Sequence, residues 1–484
     1  MTLSNRYFPT FSKGGRHFLG AGGWLSVAIP RAFLVGLVLF VLAAIPWTYL
    51  NIKWGRQVEA QLAALKAEGK PVTILEAVPK RVPEDQNAAV VYQEVFQCRF
   101  GPLTPDERKK KMPKSPLAEL NKKVTHDKER IVLVLDAQTR AALRSPEAQR
   151  ILETLRRGSE RPYSVFPVNW EAGFPGWFSL ASMCPTAARV LGAHSRILAE
   201  AGRVDEALDW CLVSLRMSEQ VASEGHLIAQ LVTYAMQSIT FGALRDIVSP
   251  EAIRPALASE FEELLRRIEL YELFDASMDM ERALVCDTYE LLRREPFEGY
   301  SLLDVPKGLP ACLYFGWPGR PLHKLDQLIY LEYAERYEKL VDQPYRDSAA
   351  DFDALQAELS RPVGLLEAPA TGIVFRMVAP RFSKAVQKRD WAGAQIDLCR
   401  VVMALKAYKY THQAYPATLD QLQATLDYRL PEDPFSGKGF MYKPQGEGFK
   451  LYSLGVDLDD DGGATPEDEG HDYDNCDMVW DCAG

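Results

Sequence analysis

Three acids at the far end of the chain carry the clearest chemical pattern. Asp457, Asp459 and Asp461 stand two positions apart, and Gly462 follows at once. Alternate carboxylates on a tightly turning backbone converge on a hard cation, and glycine allows the sharp turn. D-x-D-x-D-G is the first half of a calcium loop. The second half departs from it: the twelfth position is Asp468 rather than a bidentate Glu, and Pro466 falls at the tenth. The stretch "FKLYS" before the motif reads as a strand, so the chelating pattern fits while a helix–loop–helix frame does not. From Asp457 to Asp481 there are eleven acids, and Leu451–Gly484 contains no Lys or Arg. Like charges about 4 Å apart cost on the order of 1 kcal/mol per pair even in water. A compact fold of this segment therefore needs a cation. The alternative is a disordered acidic tail, but such tails are poor in aromatics and cysteine. Here Tyr452, Tyr473, Met478, Val479 and Trp480 surround the acids. The expectation is a bound Ca²⁺.

Elsewhere the chain is chemically quiet. It has no H-E-x-x-H, no P-loop, no G-x-S-x-G, no paired C-x-x-C and no dinucleotide glycine pattern. Its seven His residues are far apart and read as core or surface residues. Glu281, Asp287 and Glu290 lie within three helical turns, yet nothing marks any two as an acid pair. The formal charge is −9, and with the eleven terminal acids set aside 54 acids face 56 basic residues. The acidity is local, and no basic face for nucleic acid is implied. Of eight cysteines, six are scattered singly and read as small buried hydrophobes. Cys476 and Cys482, six apart, are a disulfide candidate if this end lies outside the cytosol.

The elements that must hold these residues are legible. Between Arg31 and Lys53 run 21 uncharged residues, "AFLVGLVLFVLAAIPWTYLNI". As a helix they cover roughly 30 Å, one bilayer core. Trp24 lies near one end and Trp47, Tyr49 and Trp54 near the other, as in interfacial belts. The 31-residue leader favours an uncleaved anchor over a signal peptide cut near Ala43-Ala44. Basic residues flank both ends equally, but a long C-terminal domain translocates largely regardless of charge. The N-terminus is therefore placed in the cytosol and the bulk outside. Val58, Leu62 and Leu65 continue the helix as a short stalk, and "EGKPV" stops it. From about Asn121 to Asp390 the pattern is helical, broken by Pro- and Gly-rich connections. "AARVLGAHSRILAEAGRVDEALDWCLVSLRMSEQV" resembles one tetratricopeptide unit, two helices flanking Gly202; without further copies it reads as an αα-hairpin. "AQIDLCRVVMALKAYKYTHQAYP" reads as an amphipathic helix with Ile396, Cys399, Met403 and Ala407 on one face. Thr418 and Gln421 form a capping box. Phe440–Lys443 and Phe449–Ser453 around "PQGEG" read as a β-hairpin.

Taken together, "YKYTHQAYPATLDQL", "LPEDPFSGK", "LYSLGVDLDDDGG" and "DNCDMVW" resemble the C-terminal domain of the major pseudopilin of type II secretion systems. That family has a long helix ending near Tyr-Pro, a D-P-[FW]-G-like turn, a short antiparallel sheet and a "YSLGxD" segment leading into a calcium loop. The resemblance implies Ca²⁺ here, with Asp457 in the family's first ligand position and the Leu454 carbonyl as a further ligand. The family's closing acids map onto Asp472 or Asp474 and onto Asp477. It covers about a fifth of the chain. The apolar N-terminal run lacks the family's Glu at its fifth position, and about 340 residues separate it from the matching part. The remainder, with "PEDQNAA", resembles in style large uncharacterised membrane-anchored proteins of bacteria.

The resulting expectation is a mainly α protein: a cytosolic leader (1–31), a transmembrane helix (32–52), a stalk and linker (53–82), a helical extracytoplasmic domain (83–388) and a small α+β pseudopilin-like domain with a calcium loop (389–484). The expected ligands are Asp457, Asp459, Asp461, Asp474, Asp477 and Leu454. The expected role is a calcium-stabilised structural or interaction protein of the bacterial inner membrane and periplasm, linked to type II secretion or a pilus-like system, with protein partners and no nucleic acid. The competing readings are an envelope hydrolase with its active site in the helical domain, and a helix-hairpin receptor for peptides.

Overall fold

The computed structural model describes residues 22–96, 115–123, 135–166, 170, 178–248, 252–294, 314, 316–360, 380–464 and 477–482. The chain opens with one unbroken helix of 46 residues, α1 (Gly22–Ala67). Its apolar stretch from Phe33 onward is long and apolar enough to cross a membrane, and none of that window is buried against the rest of the chain. Such a helix is either a membrane anchor or a signal sequence. Beyond Trp47 the same helix docks: Val58 is buried, and Leu62 and Leu65 pack on Tyr289, Tyr330 and Leu331. The helix stops where "EGK" directs, with Gly69 at φ +79°. The stretch read as a stalk and linker thus lies against the body. A second short helix, α2 (Ile74–Ala77), has the Thr73/Glu76 capping box, and its first N–H donates to Asp287 Oδ2 at 2.7 Å.

Four helices build the next corner: α3 (Ala88–Phe96), α4 (Pro116–Lys123), α5 (Ala137–Arg144) and α6 (Pro146–Ser159). Asn87, from "PEDQNAA", pins it: its Oδ1 accepts the N–H groups of Ala89 and Val165, and its amide donates to the Val165 carbonyl. A Cβ on Gly158 would lie 2.2 Å from the Tyr92 ring, so only glycine lets α6 approach α3 this closely.

The centre is a bundle of α7 (Phe178–Glu200), α8 (Val204–Ala222) and α9 (Leu227–Val248). The α7–α8 turn has Gly202 at φ +75°, as the hairpin reading requires. α9 packs on both partners, which makes a three-helix bundle rather than a stack of repeats. It is also apolar enough to resemble a span, but two thirds of that window is buried, as in a core helix. Around the bundle lie α10 (Pro255–Arg266), α11 (Leu270–Arg294), α12 (Arg320–Val341) and α13 (Tyr345–Ser360).

The C-terminal part begins with α14 (Pro380–His412), which runs through residue 389 without a break, followed by α15 (Leu419–Gln423). α14 touches α9, α10, α11 and α13, and further on β2 and β3. Its middle is wrapped: Leu398, Cys399, Val401, Val402 and Leu405 are all fully buried. The one-faced amphipathic reading is therefore too narrow, because helices cover one side and the sheet the other. One continuous apolar core runs from Ala88 in α3 to Cys482 at the chain's end.

The sheet has order β1 (Met441–Gln445), β2 (Gly448–Ser453), β3 (Met478–Cys482), all antiparallel, with Tyr442 opposite Leu451 and Leu451 opposite Trp480. The hairpin turn falls at Gly446-Glu447, with Gly446 at φ +56°. The Thr418 cap is present: its hydroxyl accepts the Gln421 N–H, and Gln421 Oε1 accepts the Ala417 N–H.

Candidate cation site

Two quoted fragments of the C-terminal part turn out to be bonded to each other. Asp433, in "EDPFSGK", is buried and accepts the N–H groups of Phe435 and Ser436, which shapes the turn. Its Oδ1 also accepts the Ser453 hydroxyl of "LYSLG" at 2.6 Å. The end of β2, from which the acidic loop departs, is thereby fixed. Arg346 of α13 donates to the Pro434 carbonyl at 2.8 Å, so the helical body grips the same turn.

From Ser453 the chain turns sharply through Gly455 (φ +76°) and Leu458 (φ +65°), and again at Gly462 (φ +72°) and Gly463 (φ +82°). Leu458 is not a glycine and sits in left-handed backbone, a conformation that a tightly built loop imposes. The half-buried Leu454 stands between β2 and the first turn. Asp457 Oδ1 accepts the Asp459 N–H, and Asp459 Oδ1 accepts the Asp460 N–H. Asp460 Oδ1 takes the Gly462 N–H at 2.9 Å and the Tyr452 hydroxyl at 3.2 Å. The two ends of the loop meet where Gly463 N–H donates to Asp477 Oδ2 at 2.7 Å, just before β3.

Asp477 is the centre of the arrangement. It is only 3% exposed, and its Oδ1 has no hydrogen-bond partner. Burial pushes its carboxyl up to about 6, and the neighbouring Asp460, Asp461 and Asp457 add to the rise. No Lys or Arg forms an ion pair with Asp457, Asp459, Asp460 or Asp477 among the described residues. Two ammonium groups lie close by: Lys443 donates to the Gly462 carbonyl and sits over the Tyr452 ring, and Lys450 donates to the Gly463 carbonyl and pairs with Asp481 at 3.9 Å.

Of the expected ligands, the structure brings Asp457, Asp461 and Asp477 into one electrostatic neighbourhood. It adds Asp460, which the D-x-D-x-D reading passed over because it falls between the alternating positions. Asp459 lies on the exposed rim, its carboxylate turned to the next backbone N–H. Asp468, Asp472, Asp474 and Cys476 lie outside the described residues. Cys482 is buried on β3 as a free thiol and faces Lys406. Among the described residues no three His, Cys, Asp or Glu side chains converge closely enough to hold a metal ion. The donor chemistry nevertheless fits a hard cation: all-oxygen groups, several carboxylates, and one buried oxygen without a partner.

The helical domain supplies the other test. Burial raises Glu224 to about 8 and Glu281 to about 7, values at which a carboxyl can serve as an acid. Both have structural work. Glu281 accepts the Leu227 N–H at the start of α9, and His226, which burial depresses to about 4, accepts the Ala229 N–H through Nδ1. Together they cap α9. Glu224 accepts the Phe166 N–H at 3.1 Å. Asp287 caps α2, and Glu290 pairs with Arg293 and Arg294. The carboxylates that share a stretch of α11 in sequence thus point to three different partners. Clefts of about 350 and 650 Å³ flank α14 on the α10 side, and none of these carboxylates lines either.

No protein-family model matches this chain, and no curated protein or solved structure matches it either.

Proposed function

We propose that this protein is a single-pass, membrane-anchored structural or interaction protein of the bacterial envelope, its bulk outside the cytosol, with Ca²⁺ stabilising its C-terminal loop. The carrying observation is α1. It passes without interruption from a bare apolar stretch, through Ala43-Ala44, into a docked segment that starts at Trp47. A helix whose second half is built into the core is suited to remain attached, which supports an anchor over a removable signal. The capping roles of Glu281 and Asp287 support an interaction protein over a hydrolase, since each accepts a backbone N–H at the start of a helix.

The Ca²⁺ reading rests on Asp477 and its neighbours. Asp457, Asp460, Asp461 and Asp477 share one electrostatic neighbourhood without converging into a ligand cluster, so they would draw together around the ion, which would offset their mutual repulsion. The bond between Asp433 and Ser453 joins two fragments of the pseudopilin resemblance and supports a link to type II secretion or a pilus-like system. The anchor is tested by alkaline carbonate extraction of membranes containing the full chain: retention is expected, and release into the supernatant rejects it. The ion is tested by calorimetric titration of the full chain in detergent with Ca²⁺. Micromolar to millimolar binding that Asp477→Ala weakens is expected; no heat and no change in melting rejects it.

A further inference from the structure

The point where α1 meets the body has a composition of its own. Trp47 stacks on Trp317, from the turn Trp317–Gly319 that leads into α12, with ring centroids 4.0 Å apart. Its indole N–H donates to the Pro318 carbonyl at 3.0 Å. One helical turn further, Lys324 Nζ donates to the Asn51 carbonyl at 2.9 Å. The turn is held close: a Cβ on Gly319 would lie 1.7 Å from the Tyr314 carbonyl. Trp317 is 52% exposed although it is stacked, and Tyr49 and Ile52 at the same level of α1 are exposed too.

Around these aromatics the charge is one-sided. Lys53 and Arg56 of α1 are exposed, and Arg320 and Lys324 of α12 are half-buried. None of the four forms an ion pair among the described residues, and Arg320 Nε is buried with no hydrogen-bond partner. Burial and the neighbouring Arg293 and Arg320 lower Lys324; Glu59 and Glu290 are close enough to oppose this, though neither pairs with it. Trp47 and Asn51 are four residues apart, about 6 Å along the helix. The polar headgroup layer on each side of a bilayer is roughly 5–8 Å thick.

We propose that this face of the body, the Trp317–Gly319 turn with the first turns of α12, rests on the membrane. Trp317 lies in the interfacial layer, and Arg320 and Lys324, with Lys53 and Arg56, engage the phosphates of anionic lipid headgroups. The proposal rests on the reading of α1 as the membrane span. Continuity carries it: where the bare apolar stretch ends, a carbonyl of the Trp317–Gly319 turn and an ammonium of α12 already meet the helix, which puts the lipid boundary at Trp47–Asn51. An exposed tryptophan with cations just above it is the composition of an interfacial belt, here completed by residues some 270 positions away in sequence.

The test uses the full chain in phosphatidylcholine vesicles with and without phosphatidylglycerol. Hydrogen exchange of the segment 316–326 is expected to slow in anionic vesicles relative to neutral ones. Arg320→Gln and Lys324→Gln should each relax that slowing by roughly fivefold. With brominated lipids, Trp317→Phe should reduce the quenched fluorescence. Equal exchange in both vesicles together with unchanged quenching in Trp317→Phe would overturn the proposal. So would the same protection in detergent with inorganic phosphate alone, which would make it an ion site rather than a lipid one. Lys53→Gln, on the exposed side of α1, provides a variant that leaves the packed turn intact and should weaken the anionic effect in the same direction. Carbonate extraction separates the failures: a chain that is stripped off rejects the anchor, and one that stays without protection rejects only this docking.

Discussion

Two regions of this molecule concentrate charge and treat it oppositely. In the core, Arg389 and Asp390 are both fully buried and fully spent. The guanidinium donates to Asp390 at 2.8 Å and to the carbonyls of Val341 and Gln343, and it lies 3.9 Å above the Tyr271 ring. Asp390 also accepts the Tyr271 hydroxyl and the Tyr345 N–H. In the C-terminal loop the acids face one another, and a buried Asp477 oxygen is left over. A closed network of this kind fastens α11, α12, α13 and α14 together. The acidic loop instead gathers like charges around a buried carboxylate, and the proposed cation would offset their repulsion.

The contrast can be broken in order of expected size. Arg389→Ala leaves a buried carboxylate without its partner and should cost about 3–5 kcal/mol, read from urea unfolding in detergent; a loss below 1 kcal/mol would mean that the network is not structural. Glu281→Gln tests buried charge without a cation. The Glu281 carboxyl is raised from 4.5 to about 7 in the folded chain. Its contribution to stability is fully present below about 4.5 and is lost as pH climbs to about 7. The wild-type urea midpoint should therefore decline between those pH values, and Glu281→Gln should flatten the decline, an effect on the order of 3 kcal/mol. An unchanged pH profile would place Glu281 in contact with water.

Calcium should act on the loop and not on the core. At about a hundred times its dissociation constant it should stabilise the full chain by about 2.7 kcal/mol, and Arg389→Ala should retain that increment. Asp457→Ala should weaken binding about tenfold and so remove about 1.4 kcal/mol of the increment at fixed calcium. Asp459→Ala should matter less, because Asp457, Asp460 and Asp461, and not Asp459, are the acids that bear on Asp477. Equal losses for the two variants would restore the alternating D-x-D-x-D geometry.

Much of the architecture could be read from residues. The end of α1 follows from Gly69 and the α7–α8 turn from Gly202, since both need backbone that other residues adopt only under strain. The Thr418 box follows from side-chain chemistry at fixed spacing. The β1–β2 hairpin follows from alternation and a glycine turn. Strand β3 was not legible: "MVWDC" is buried at four of its five positions, so it shows no alternation. α14 was legible as a helix but not as a central one, because its flanks are covered by helices from before it in the chain and by strands from after it.

The acidic motif was legible as chemistry, while its membership was not. Alternation in sequence selected Asp459, whereas the turns at Leu458 and Gly462 bring Asp460 toward Asp477 instead. The acids of α11 lie within three turns in sequence and nothing there marks a pair; packing gave each a different backbone or guanidinium partner.

Composition and local pattern by themselves determined the bare apolar helix, the helical body, the hairpin and the acidity of the C-terminal loop, because each depends on residues within a few turns of one another. Only the tertiary structure decided that the stalk is docked, that the Glu281 and His226 pair caps α9, that Asp433 ties the turn to the strand, and that Trp317 stands beside Trp47. Apart from the local His226 bond to Ala229, those contacts join residues tens to hundreds of positions apart. No local pattern encodes them, since the energy that selects them comes from burying the whole core at once.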